Sequence, residues 1–251
     1  MTKTSIEWTE MTWNPTTGCD RVSPGCDHCY ALTMAARLKA AGARAYQNDG
    51  DPRTSGPGFA LTLHEERLQA PLQWRKPSLV FVNSMSDLFH AKVPFEFVRR
   101  VWDVMFNTPQ HTYQILTKRP DRMARFSERL PLATNVWLGT SVEDQARVGR
   151  LDWLDRTWAT TRFISAEPLL GPLELAGCLA GGRIEWVIVG GESGPGARPM
   201  DLDWARSIRD QCQAAGVKYF LKQLGGFPNK RGHHEALLDG RLWREMPEVT
   251  T

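Results

Sequence analysis

Short apolar runs, rich in β-branched and aromatic residues, recur along the chain, each closing on polar or glycine residues and most followed by a stretch with helical periodicity. The runs cover residues 79–82, 113–116, 136–138, 162–164, 186–189 and 219–221, and an earlier strand is expected near 9–13. They end on Asn83-Ser84-Met85-Ser86-Asp87, Thr117-Lys118-Arg119, Gly139-Thr140-Ser141, Ser165-Ala166-Glu167-Pro168, Gly190-Gly191-Glu192-Ser193 and Lys222-Gln223. Between runs, Phe95, Val98, Val101, Trp102 and Met105 recur at three- and four-residue spacing after Pro94, where a helix can start. Pro120 begins another helix. A further one is expected from Ser141, whose hydroxyl would cap it while Asp144 completes a capping box. Asp201 begins a helix that carries Trp204, Ile208 and Cys212 on one stripe.

This alternation predicts an α/β fold: a partial or complete parallel βα barrel of six to seven or eight units, with an open doubly wound sheet as the other permitted arrangement. In both, strand C-termini converge on one face, and that face collects the active site. Turn and cap residues belong at any strand end, but charged side chains directly after an apolar run do not, so Lys118, Arg119, Glu167, Glu192 and Lys222 are expected around a shared polar cavity. No linker interrupts the chain, and a single domain over residues 1–251 is expected. Its segment 225–251, with Asn229-Lys230-Arg231-Gly232 and Asp239-Gly240, reads as turns and a hairpin closing one end.

Composition narrows this modestly. A chain of 251 residues that is 41% hydrophobic suits one such barrel. The net charge of +3, from 31 basic and 28 acidic residues spread along the chain, gives no concentrated footprint for a nucleic-acid backbone and does not exclude one. MTKTSIEWTE has no apolar signal core and no stretch approaches a membrane span, so a cytoplasmic protein without a membrane partner is expected.

The five cysteines are unevenly placed. Cys212 falls on the buried helical stripe as a small hydrophobe, and Cys178 lies in the loop-like AGCLAGG. Cys19, Cys26 and Cys29 crowd into one turn-rich loop ahead of a helix expected from about Ala31. In a reducing compartment, clustered thiols mean metal or catalysis more often than disulfides, and thiolates select zinc or iron–sulfur centres. Structural zinc needs a fourth ligand, His28 or a distant His233 or His234. A barrel this size needs no metal staple, and His28 adjoins Cys29 too closely for the usual knuckle. Three thiolates and one open iron corner of a cubane cluster is the favoured solution.

The phrases Trp8-Thr9, Thr12-Trp13-Asn14-Pro15-Thr16-Thr17-Gly18-Cys19, Ser23-Pro24-Gly25-Cys26-Asp27-His28-Cys29-Tyr30-Ala31, Asn83-Ser84-Met85-Ser86-Asp87-Leu88-Phe89-His90, Leu116-Thr117-Lys118-Arg119-Pro120, Gly190-Gly191-Glu192-Ser193-Gly194-Pro195 and Lys222-Gln223 resemble the three-Cys-motif proteins of phages and mobile elements (DUF5131-like). That family is itself similar to radical S-adenosylmethionine (SAM) enzymes. The resemblance covers nearly the whole chain. It implies a radical-SAM-like barrel, a 4Fe-4S cluster on Cys19, Cys26 and Cys29, cleavage of SAM, an external electron donor, and an unidentified substrate that includes nucleic acid, a nucleotide or a protein among its candidates. One departure stands out: radical SAM enzymes usually place three residues between the first two cysteines, whereas six intervene here; the second gap, of two, matches.

On that reading Lys118 or Arg119 pairs with the methionyl carboxylate or an anionic substrate, and Glu167 or Glu192 accepts from the amino group or ribose hydroxyls. Ser84, Asp87, Ser141 and Lys222 add polar contacts, His28 or Tyr30 stacks on adenine, and Gly190, Gly191, Gly194 and Gly196 let backbone approach the ligand. Two other functions compete. One is a zinc-stabilised nucleic-acid-binding protein that uses some of its ten tryptophans for stacking. The other is a metal-free barrel enzyme with Glu167 and Glu192 as acid and base, which leaves the cysteines unexplained.

Overall fold

The structure, a computed structural model, describes residues 3–249, so residues 250 and 251 of the expected closing segment lie outside it. Seven strands form one parallel sheet: β1 (Met11–Trp13), β2 (Leu79–Val82), β3 (Thr112–Thr117), β4 (Val136–Ser141), β5 (Thr161–Ala166), β6 (Trp186–Gly190) and β7 (Lys218–Gln223). Each expected run is a strand, and their spatial order follows the chain without reversal. A doubly wound sheet needs a reversal in strand order, so that alternative falls.

The sheet curls. Phe81 of β2, Trp137 of β4, Phe163 of β5, Trp186 of β6 and Phe220 of β7 meet in one buried cluster with Trp8. Trp8 lies 4.7 Å from the Phe81 ring and 6.1 Å from Trp186. Four strand spacings in a flat sheet would separate β2 from β6 by about 19 Å. The aromatic plug therefore fills the concave side of a partial βα barrel. The alternate residues, among them Val80, Val82, Ile115, Leu138, Ile164, Val187 and Leu221, face the outer core, packed with side chains of the helices. Two-sided burial explains why the strands read as continuous apolar runs.

The helices are α1 (Tyr30–Ala40), α2 (Phe95–Phe106), α3 (Pro120–Ser127), α4 (Arg150–Asp155), α5 (Ala176–Leu179) and α6 (Leu202–Ala215). In α2, Val98, Val101, Trp102 and Met105 are buried, as their spacing predicts, whereas Phe95 of the expected stripe is only partly buried and Phe97 takes the buried place beside it. Asp201 caps α6 by accepting from the Asp203 amide at 2.9 Å, and Cys212 is fully buried on its stripe. Two local expectations fail. Ser141 does not start a helix: it is the last, buried residue of β4 and pairs with Ser165, the next strand's ladder outcompeting its capping tendency, and the helical turn comes later in α4. Cys178 lies in the short α5, where its thiol donates to the Leu175 carbonyl at 3.1 Å.

β1 and β7 are the two edges of the sheet. Phe220 on β7 bridges Arg244, and Lys3 bridges Met11 on β1, so segments from both chain ends cover the edges. They also meet: Glu7 pairs with Arg244 at 2.5 Å and accepts from the His233 amide at 3.0 Å. Leu237–Leu238 and Arg241–Leu242 form the expected hairpin, with Asp239 and Gly240 both at positive φ, as a tight two-residue turn requires.

Candidate active site

The cysteines sit in the loop from β1 to α1, over the C-terminal ends of the strands. Its first part is fixed by the end of β2. Asn83, at φ 64°, accepts from the Thr16 amide at 3.2 Å; Asn14 accepts from the Met85 amide at 3.1 Å; and Ser86 donates to the Gly18 carbonyl at 2.6 Å. Gly18 has φ 85°, and a Cβ there would fall 2.1 Å from the Ala60 carbonyl oxygen, so no larger residue fits directly before Cys19. The motifs over residues 12–19 and 83–90 are thus two halves of one interlock.

Three ion pairs, each with a buried carboxylate, then clamp the cysteine loop from different strand ends. After β3, Arg119 pairs with Asp87 at 2.8 Å, while its guanidinium donates to the Asp20 carbonyl at 3.0 Å and to Cys19 Sγ at 3.5 Å. Asp87 is held further by the Thr117 hydroxyl and the Phe89 amide. After β4, Glu143 pairs with Arg150 at 2.7 Å and accepts from the Ser23 hydroxyl. After β6, Glu192 accepts from Arg198, which reaches on to the Pro24 carbonyl at 2.8 Å, and from His28 at 2.8 Å. Asp20 itself meets His90 at 2.9 Å and Thr54 at 2.9 Å.

Electrostatics follow from this packing. Burial, with the Asp87 charge beside it, pushes the Cys19 thiol up to about 12 against the opposing pull of Arg119. Burial likewise raises Cys29. At Glu192 burial raises, but the Arg198 hydrogen bonds outweigh it and hold the carboxyl down at about 2. Both carboxylates of the Glu167–Glu192 pair are engaged within the protein, Glu192 by Arg198 and His28 and Glu167 by Lys222 at 2.6 Å, which speaks against their serving as acid and base.

Cys19, Cys26 and Cys29 line one cavity of about 160 Å³ together with Asp87, Lys118 and Arg119. Cys29, Tyr30, Ser84, Lys118 and Ser141 also line a second chamber of about 560 Å³, which reaches His28, Glu167, Gly191, Glu192 and Lys222. Of the residues expected at the site, Gly190, Gly194 and Gly196 line neither space, and the others line one or both. Their roles divide. Asp87, Arg119 and Glu192 are engaged by partners inside the protein, whereas the Lys118 ammonium makes no hydrogen bond or ion pair among the described residues. Tyr30 is half exposed and donates its hydroxyl to the Ser84 carbonyl. The glycines serve packing as well: a Cβ on Gly190 would press on Glu167 at 3.1 Å, and one on Gly191 would fall 2.2 Å from the Leu224 carbonyl.

His28, Nδ1-bonded to Glu192, lines the larger chamber and not the cysteine cavity, so the structure does not assemble a Cys₃His site from it. Among the described residues no group of three or more His, Cys, Asp or Glu side chains stands ready to hold a single metal ion. Sequence reasoning missed Asp20, Glu143, Arg150 and Arg198. Glu143 was within reach of the strand-end argument had the β4 run been followed to Ser141. Arg198, eight residues past β6, carries no local signal.

The fold and site define a class: a partial parallel βα barrel whose mouth is roofed by a clamped three-cysteine loop. The chain belongs to the family described as "Protein of unknown function (DUF5131)", whose model matches residues 3–247. No curated protein matches it. A solved structure, "Spore photoproduct lyase complexed with dinucleoside spore photoproduct", is similar with a TM-score of 0.45 and 10% identity, over 78% of this chain and 59% of that one. The chain thus spans about three fifths of that structure's length. No helix among the described residues is long and apolar enough to cross a membrane.

Proposed function

We propose that this protein is an iron–sulfur enzyme of the radical SAM type, holding a 4Fe-4S cluster on Cys19, Cys26 and Cys29 and cleaving SAM to modify a substrate in the adjoining chamber. The observation that carries the reading is the convergence of the three thiols of one loop on a single cavity at the C-terminal mouth of the barrel, open to a larger chamber. The donor set fits the group. Thiolates suit iron–sulfur clusters, and three of them leave one iron corner for a ligand. A cubane takes one thiolate at each iron, so its ligands stand apart and need not crowd around one ion.

When bound, the cluster supplies one-electron cleavage of a carbon–sulfur bond of the sulfonium, with the electron coming from an external donor. The protein's own groups bind and orient. Lys118, unpaired and next to the cysteine cavity, pairs with the methionyl carboxylate. Ser141 and the Ser84 carbonyl edge add polar contacts, and Tyr30 and His28 flank the adenine side of the chamber. Arg119, Asp87 and Glu192 hold the loop in place behind them. The aromatic plug of Trp8, Phe81, Trp137 and Trp186 closes the floor against water.

Anaerobic purification with iron and sulfide reconstitution tests this. A brown protein with a cubane electron paramagnetic signal that shifts when SAM is added supports it. A colourless protein that retains one stoichiometric zinc under the same handling overturns it.

A further inference from the structure

The larger chamber is not neutral. Two carboxylates line it, and both already have partners: Glu167 has the Lys222 ammonium at 2.6 Å, and Glu192 has the Arg198 guanidinium and a hydrogen bond with His28. The ionised side chains on its wall that lack any partner among the described residues are Lys3, Lys118 and Lys230. Every such group is therefore a donor of positive charge. Lys118 lies on the cysteine side. Lys3 lies beside Met11 of β1 and Lys230 follows β7, so both stand at the seam of the barrel, where the two sheet edges do not pair with each other and chain-end segments lie between them. Hydroxyls of Ser5, Ser165 and Ser193 on the same wall make no hydrogen bond among the described residues. The rest of the lining is largely apolar, including Ile6, Trp8, Met34 and Phe81.

A ligand complementary to this surface carries an anionic, acceptor-rich end and an apolar or planar body. A phosphate offers several acceptor oxygens and charge that lysines answer as point charges. We infer that Lys3 and Lys230 form a phosphate subsite at the barrel seam, and that the substrate is an organic phosphate ester whose body points from there toward the cysteine cavity. The direction of the body rests on the radical SAM reading above; the subsite does not.

The test uses the full chain and measures binding of adenosine 5′-monophosphate, adenosine, inorganic phosphate and a short single-stranded oligonucleotide by calorimetry. The monophosphate or the oligonucleotide should bind at least about tenfold more tightly than adenosine and than inorganic phosphate. The stronger of the two tells a monoester from a backbone diester, and either supports the subsite. In a Lys3→Gln/Lys230→Gln variant that preference should vanish; neither lysine has a partner to lose, and an unchanged melting curve checks the fold. In a variant with Cys19, Cys26 and Cys29 all changed to Ala the preference should persist, which separates this inference from the cluster. Equal binding of phosphorylated and unphosphorylated probes, inorganic phosphate matching the best ester, or a preference that survives the double lysine change would each overturn it.

Discussion

The two sides of the barrel mouth obey opposite rules. On the cysteine side nearly every charged group is satisfied from within: Arg119 by Asp87 and Asp20, Glu143 by Arg150 and Ser23, and Glu192 by Arg198 and His28. On the seam side Lys3 and Lys230 face the chamber with no side-chain partner among the described residues. A buried ion pair is costly to half-remove, so the first arrangement fixes a loop in space. An unpartnered cation at a cavity wall contributes little to folding and is left for something else. The same residue type at a strand end can thus be scaffold or ligand contact, and the neighbours decide which. Lys118 and Arg119, adjacent in sequence, fall on opposite sides of that line.

The largest effects should come from the cysteines themselves. Replacing Cys19, Cys26 or Cys29 with Ala is expected to abolish iron-dependent absorbance and SAM-induced spectral change, while Cys178→Ala leaves both intact; iron and sulfide content after anaerobic reconstitution measures this. If each single cysteine variant still holds a full complement of iron, the loop is not the ligand.

Next comes the contrast between the adjacent cations. Arg119→Ala leaves Asp87 buried without its partner and should cost about 3–5 kcal/mol in denaturant unfolding. Lys118→Ala should stay within about 0.5 kcal/mol of the parent yet weaken SAM binding severalfold. Equal destabilisation by the two would dissolve the distinction between scaffold and ligand contact.

Much of this was legible before any coordinates. Two-sided burial made six of the seven strands apolar runs, β1 being expected separately from its place ahead of the cysteines, and most of the polar residues closing the runs landed at the mouth. Partnership was not legible. That Arg119 turns back on Asp87 and Cys19, 32 and 100 positions away, depends on how β2, β3 and the cysteine loop meet in space. Ser141 misled because a serine before an acidic residue is a good cap only where the backbone is free, and β5 had already paired it. Arg198 gave no sign, since only the fold brings it to Pro24 of the cysteine loop, 174 positions away, while it folds back on Glu192 six positions before it.

A smaller effect should follow pH. In the folded protein Glu192 titrates near 2, below the ordinary 4.5, so its contribution to stability is complete above about 4.5 and is lost as pH falls toward 2. Unfolding midpoints between pH 5 and pH 2 should therefore drop more steeply in the parent than in Glu192→Gln, the gap amounting to about 2 kcal/mol. Parallel curves would mean that Arg198 does not hold the carboxylate in solution, and the β6 clamp on the cysteine loop would lose its basis.

The smallest expected change tests the comparison from outside. Cys212 is fully buried on α6 against the outer core, far from either side of the mouth in role, and acts as a small hydrophobe. Cys212→Ala removes one buried sulfur and should cost about 1 kcal/mol of stability, with iron content and phosphate-ester binding unchanged. A loss of iron in that variant would show that the outer core and the cysteine loop are coupled through the sheet. The clamps at the strand ends would then not be sufficient to fix the loop.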